Sequence, residues 1–301
     1  QSTMAVCEDD LLKQLAAERP VCCIVAQVWG RINCLDRVAK LCVEHDCDLI
    51  EDAAESFFSS FKGHPNADMV CWSHGSIKNA TVFGGGVAYV RDGTVRSCML
   101  ELLARDPIQP TRKYLYKCMK YSVLWLFLNT RLNVAVRFIL EWLRVDYHSL
   151  IVGALRGFAG KDLIPALRHR PCKALEGALR RCRLVSTTRG HQEHMQQLAV
   201  KMSEQLDTVV VPGLQCTSLH FWLFPILVAD PAKRIQIVKA LRRAGIFATS
   251  DSTQLCSLAG PGANATAVAA AVVYLPIHRL CSSKDIEKIA RVLSKEDGGS
   301  A

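Results

Sequence analysis

Lys78, in the run Cys71-Trp72-Ser73-His74-Gly75-Ser76-Ile77-Lys78-Asn79-Ala80-Thr81, has the surroundings in this 301-residue chain that best suit covalent chemistry. Most loop lysines are solvated charges. This one follows an apolar strand and sits among Ser73, Gly75 and Ser76, where partial desolvation makes a primary amine nucleophilic toward a carbonyl. The serine hydroxyls can donate to phosphate oxygens, and Gly75 permits close backbone approach. Gly84-Gly85-Gly86, just downstream, suits a turn or bulge as well as a phosphate cradle.

A second constellation precedes it, in Ile50-Glu51-Asp52-Ala53-Ala54-Glu55-Ser56. Asp52 ends a strand predicted over Asp48 to Asp52, so its carboxylate emerges at the carboxyl edge of a sheet, where α/β proteins bind ligands. An aspartate there can also cap a helix or a turn. The small Ala53 and Ala54 directly after the acid leave space for a flat ring, and a carboxylate facing a pyridine nitrogen keeps it protonated. The two constellations together suit an electron-sink cofactor held as a Schiff base beside its phosphate.

The elements that must position these residues follow from periodicity. Val21 to Ala26 is a continuous apolar run suited to a buried strand, and Leu35, Val38, Leu41 and Cys42 mark one face of a helix over Leu35 to Cys47. Further strands are predicted over Asp68 to Ser73 and Gly86 to Val90. This alternation implies a parallel or mixed α/β sheet. From Asp106 to Leu184 the pattern is helical, with Lys113 to Leu128 and Arg131 to Arg144 rich in Leu, Val, Phe and Trp but interrupted by cations. Its longest uncharged run, Tyr121 to Thr130, falls short of the roughly 18 apolar residues of a spanning helix. A basic amphipathic pair can lie on a membrane surface, but packing on the domain or on a partner subunit is the plainer reading. Gly157 to Gly160, Pro165 and Pro171 break the next helical stretch. The last third returns to α/β, with helices over Arg189 to Leu206 and Pro231 to Ala244 and strands over His220 to Val228 and Val272 to Leu275. Ser282-Ser283-Lys284-Asp285 reads as a capping box before a final helix, Asp285 to Leu293, with a frayed tail from Glu296.

Composition narrows the class. A net charge of +9 spread over many helices argues only mildly for an anionic substrate, and no basic stripe interleaved with aromatics points to nucleic acid. The 14 cysteines sit singly in apolar segments, without CxxC pairs or zinc spacing, so reduced thiols in a cytoplasmic setting are expected and no metal site is. The amino terminus, Gln1 to Asp10, shows no signal-peptide pattern and no start methionine.

Asp52-Ala53-Ala54-Glu55, Ser73, Lys78-Asn79-Ala80-Thr81 and Gly84-Gly85-Gly86 resemble the active-site strand and lysine loop of the DegT/DnrJ/StrS family of pyridoxal-phosphate-dependent sugar aminotransferases. Gln27-Val28-Trp29-Gly30 upstream, and His220 to Pro225, Leu241 to Ile246 and Tyr274 to Ile277 downstream, are similar to that family's order. The resemblance implies a fold type I architecture of the aspartate-aminotransferase superfamily. Residues 1–105 would form a partial cofactor-binding large domain with three α/β/α layers, 106–185 a helical middle segment, and 186–301 a smaller α/β carboxyl-terminal domain.

It further implies pyridoxal 5'-phosphate as cofactor. Lys78 would form the Schiff base and later move a proton, Asp52 would pair with the pyridinium nitrogen, and Ala54 would pack on a ring face. Glu55 would approach the ring hydroxyl, and Ser73 would bind the phosphate. Relatives that use the cofactor for dehydration carry histidine at the lysine position, so with Lys78 the resemblance implies transamination from an amino acid to a nucleotide-linked keto-sugar, in a homodimer. Three departures stand out. Glu55 occupies a position commonly Gln or His, Gly75 replaces a common histidine with His74 one place earlier, and the family's amino-terminal Gly-Thr phosphate turn has no counterpart in Gln1 to Pro20. The resemblance thus implies an amino-terminally incomplete large domain; the alternative is a catalytically impaired homologue serving as an interaction or membrane-surface protein.

Overall fold

A computed structural model describes residues 4–56, 61–78, 80–128, 163–182, 189–205, 209–214, 216, 218–219, 222–250, 263–276 and 281–297, with single positions between 136 and 153. Along the chain run α1 (Glu8–Glu18), β1 (Cys22–Ala26), β2 (Arg31–Ile32), α2 (Asp36–Glu44), β3 (Asp48–Asp52), β4 (Met69–Ser73) and β5 (Gly86–Val90). Helices α3 (Gly93–Ala104), α4 (Thr111–Leu128), α5 (Leu163–Leu167), α6 (Lys173–Cys182) and α7 (Arg189–Gln205) follow. The remainder is β6 (Val209–Val210), β7 (Ser218–Leu219), β8 (Phe224–Val228), α8 (Arg234–Arg243), α9 (Ala263–Ala271), β9 (Val272–Leu275) and α10 (Ser283–Asp297). Both parallel and antiparallel ladders occur, as expected of a mixed α/β fold.

The chain forms two compact units. The first comprises residues 1–56, 61–67 and 187–301. In it β1 and β3 pair in parallel from Cys22 opposite Asp48 to Ala26 opposite Asp52. Helix α2 covers this ladder's connection with the stripe read from the sequence: Leu35, Val38, Leu41 and Cys42 are all buried. Removing each such side chain from water contributes on the order of 1.5–3 kcal/mol. A second apolar cluster is built on the antiparallel set β6-β8-β9, where Phe224, Ile226 and Val273 are fully buried under α7, α8 and α10. The capping box at α10 forms as predicted: the Ser282 amide donates to Asp285 Oδ2 at 2.8 Å and the Asp285 amide donates back to Ser282 Oγ at 3.4 Å.

The second unit comprises residues 57–60 and 68–186. Here β4 and β5 form an antiparallel pair, Ser73 opposite Gly86 and Met69 opposite Val90. A Cβ on Gly86 would lie 2.8 Å from the Trp72 carbonyl oxygen, so the close strand approach requires glycine there. Tyr114 of α4 packs with Cys172 and Leu175 of α6 and its approach, and its hydroxyl donates to the Val82 carbonyl at 3.0 Å. Burial pushes that phenol up to about 12.

Several boundaries differ from the sequence reading, among them the final helix, which spans Ser283–Asp297 and takes in Glu296 rather than ending at Leu293 before a frayed tail. The strand expected over His220 to Val228 spans Phe224–Val228, which pairs with β6 and β9; Trp222 and Leu223 form a bend, and 220–221 lie outside the described residues. Pro165 lies within α5 (Leu163–Leu167), and residues 161–162 before it lie outside the described residues. Gly157 to Gly160, most of Arg131 to Arg144 and the tail after Asp297 lie outside the described residues.

Candidate active site

Asp52, Ala54 and Glu55 all lie in the first unit, on the turn that leaves β3. The ladder continues one step beyond β1, the Gln27 amide donating to the Asp52 carbonyl at 2.9 Å. Asp52 Oδ1 accepts from the Ala54 amide at 2.9 Å, an Asx turn that folds the small residues back over the strand end. The Asp52 side chain makes no other hydrogen bond among the described residues, leaving Oδ2 for a ligand. Glu51, the acid whose side chain points the other way, is buried: Oε1 accepts from Gln27 Nε2 and Oε2 from the His64 amide, both at 2.6 Å. Alternation along the strand thus separates a structural acid from one that can serve a ligand.

Glu55 fixes the backbone of its own unit. Its Oε2 accepts from the Trp29 amide at 2.7 Å, and Trp29 is held in the left-handed region at φ 63°. Arg31, two residues on, is fully buried with its guanidinium 4.8 Å from the Trp29 ring, donating through Nη1 to the Pro212 carbonyl at 2.8 Å. Desolvation lowers its pKa to about 10, partly offset by the Cys216 thiol and the Glu55 carboxylate. Ser56 donates to the Gln27 and Arg31 carbonyls at 3.0 and 3.2 Å and closes the turn. Sequence reasoning missed Arg31; a basic residue directly after Gln27-Val28-Trp29-Gly30 was the available signal.

Ser73 and Lys78 lie in the second unit, on the loop between β4 and β5. That loop is folded around His74, which is fully buried. The His74 amide donates to the Gly85 carbonyl at 3.0 Å, and its carbonyl accepts from the amides of Val82 at 3.2 Å and Gly84 at 3.0 Å. On the side chain, Nδ1 lies 2.7 Å from the Ala80 carbonyl; since a carbonyl only accepts, Nδ1 carries the proton. Cys182 Sγ donates to the same carbonyl at 3.3 Å.

Within this frame a turn brings Lys78 back toward the strand end, its amide donating to the Gly75 carbonyl at 3.1 Å, and Lys78 is half-buried at its apex. Ser73 Oγ accepts from the Gly75 amide at 3.4 Å, which leaves its hydroxyl proton for an acceptor outside the described residues. The glycine triplet serves as a turn: Phe83 at φ 64° and Gly85 at φ 77° reverse the chain, and Phe83 stacks on Tyr121 at 5.4 Å. In the same place Lys117 Nζ approaches Gly84, 3.9 Å from where a Cβ would stand. No cluster of three or more metal-ligating side chains occurs among the described residues.

His74 makes this loop sensitive to acid. Burial lowers its pKa below the ordinary 6.5, against an opposing contribution from the Ala80 carbonyl. A base whose folded pKa is depressed binds fewer protons in the native state, so its contribution is present above 6.5 and is lost as pH falls through the folded pKa. Thermal unfolding midpoints should therefore drop below that pH. In His74→Asn, whose amide can still donate to Ala80, the midpoint should be lower at pH 8 by about 1–2 kcal/mol equivalent but flatter on acidification. An unchanged acid slope in the variant would remove His74 from this role.

Residues 2–132 match the model of the DegT/DnrJ/EryC1/StrS aminotransferase family. No curated protein matches the chain by sequence. Among solved structures, the aminotransferase TlmJ from Streptoalloteichus hindustanus is 15% identical at a TM-score of 0.64, the match covering 99% of this chain and 71% of that one. Sugar aminotransferase CalS13 from Micromonospora echinospora is 18% identical at 0.60, covering 98% and 72%. The E. coli GDP-4-keto-6-deoxy-D-mannose-3-dehydratase, solved with hydrated PLP, is 15% identical at 0.65, covering 97% and 72%. Across all three the likeness is one of fold, and the family match rests on residues 2–132, which resemble the DegT/DnrJ/EryC1/StrS aminotransferase family.

Proposed function

We propose that the protein is a pyridoxal-phosphate-dependent aminotransferase that moves an amino group from an amino acid such as glutamate to a keto-sugar, one carried on a nucleotide. The observation that supports this most is the lysine loop, in which a buried His74 fixes the backbone so that Lys78 stands half-buried at a turn directly after Ser73. The donor set suits the group: an amine, a hydroxyl with an uncommitted proton at Ser73, and a strand-end carboxylate with Oδ2 uncommitted at Asp52. Pyridoxal phosphate, when bound, supplies an aldehyde for amine capture and a ring that accepts electrons.

Each residue then has a stated task. Lys78 supplies the amine that links covalently and afterwards takes and returns the proton between carbons; an imidazole at this position makes no such link, so lysine favours transamination over dehydration. Asp52 Oδ2 holds a proton on the pyridinium nitrogen. Ser73 donates to the phosphate, Ala54 leaves room against the ring face, and Glu55 approaches the ring hydroxyl. We place the protein in the cytoplasm on the strength of its 14 cysteines, of which the thirteen among the described residues are free thiols. We further propose a homodimer, the arrangement that the family resemblance implies.

Titration of the purified chain with pyridoxal phosphate, followed in the visible, tests the reading. A lysine-linked band is expected that fades on adding glutamate and returns on adding a nucleotide-linked keto-sugar. Asp52→Asn should weaken the glutamate step by roughly 10²-fold or more, because the ring nitrogen loses its proton partner. A wild-type chain without a band at saturating cofactor would instead favour a non-catalytic homologue.

A further inference from the structure

Helix α4 has two apolar faces, and only one of them is used. Tyr114 and Tyr121 are 6% and 8% exposed and, with Cys118 between them, pack inward against the lysine-loop turn and α6. On the opposite side Leu115, Tyr116, Met119, Val123 and Leu126, spaced by three and four residues, are 52%, 68%, 68%, 66% and 59% exposed. Trp125, near the carboxyl end, is 66% exposed. A monomeric soluble protein seldom leaves so much contiguous apolar surface in water without using it.

Charge says what covers this face. The helix carries Arg112, Lys113, Lys117 and Lys120 and no aspartate or glutamate. Lys113 and Lys120 fall along one flank of the apolar stripe, and Arg112 lies at its amino-terminal end, where the helix dipole adds positive potential. Two such faces packed on each other would offer these cations no carboxylate on the helix to pair with. An anionic lipid surface satisfies both components: headgroups take the cations, and the aliphatic side chains enter the acyl boundary with Tyr116 at the level where aromatic rings settle. Exposed apolar rings continue beyond α4 at Phe138 and Trp142, 73% and 77% exposed. No described helix is long and apolar enough to cross a membrane, so the contact is one of lying on the surface.

We propose that the outer face of α4 docks the protein on a membrane surface bearing anionic phospholipid headgroups. The proposal is independent of the cofactor reading. Co-sedimentation of the full chain with vesicles tests it, using phosphatidylcholine alone and phosphatidylcholine mixed with phosphatidylglycerol. The chain should bind the mixed vesicles at least about tenfold more strongly, with binding that falls as salt rises. Leu115→Ser/Met119→Ser/Val123→Ser should lower binding by at least about tenfold with circular dichroism and melting unchanged, since all three side chains are more than half exposed. Arg112→Gln/Lys113→Gln should lower binding to mixed vesicles only, by about tenfold at about fivefold or less per charge. Wild-type protein that ignores both vesicles would overturn the proposal, as would binding indifferent to the triple substitution. Sedimentation velocity in which the triple variant splits an oligomer, with no vesicle binding by the wild type, would overturn it in favour of a second copy on this face.

Discussion

Lys78→Ala, given saturating pyridoxal phosphate, is expected to show no lysine-linked visible band and to lose at least about a thousandfold in amino-group transfer, while melting at the wild-type temperature. The loss is large because one side chain supplies both the covalent link and the proton carrier. Folding should survive because the loop is built by its backbone and by His74, whose amide and carbonyl make three of its hydrogen bonds. Lys78→Arg is the sharper control. It keeps the charge but offers no amine to a carbonyl, so it should be as inactive as alanine. Activity retained in the arginine variant would mean that Lys78 acts as a point charge and not as a nucleophile.

The second large effect concerns stability and lies at Gly213. Its φ is +78°, and a Cβ there would collide with the Arg31 guanidinium, which is pinned between the Trp29 ring and the Pro212 carbonyl. Gly213→Ala should cost about 3 kcal/mol: roughly 1 from the left-handed backbone and about 2 from overpacking a buried cation that has nowhere to move. Arg31→Met removes the guanidinium and should relieve the overpacking part, so the double variant should be less unstable than the sum by at least about 1 kcal/mol. Denaturant midpoints for the four proteins check this. Additive costs would mean that the two residues do not share a constraint.

The parts of this fold that were legible in the sequence are those whose evidence is local. Strands Asp48–Asp52, Gly86–Val90 and Val272–Leu275 have the predicted limits, because polar or glycine residues bound short apolar runs. Helix α2 was legible since its stripe of Leu35, Val38, Leu41 and Cys42 is the buried one. Helix α1 was not, because Leu15 is its one buried residue and a single apolar position makes no period. Helix α3 was missed for a related reason: none of its residues is buried, so its apolar residues follow no face. The short strand β7 pairs with β2, nearly two hundred positions away, and nothing local in the sequence marks that pairing.

The candidate site divides in the same way. Asp52 and Ser73 were readable as strand-end residues, and Lys78 as a lysine among small ones. The burial of Arg31 was not readable, because the Pro212 carbonyl and Gly213 that enclose it arrive from 181 residues away. Nor was the part played by His74, since its partners Ala80, Val82, Gly84, Gly85 and Cys182 are brought to it only when the loop closes.

Borohydride reduction of the pyridoxal-phosphate-loaded protein, followed by peptide mass spectrometry, tests the central claim most directly, because reduction makes the link between cofactor and amine permanent. The account predicts a pyridoxyl group on Lys78, at one group per chain. A modification on another lysine, or none on a chain that has taken up cofactor, would contradict it.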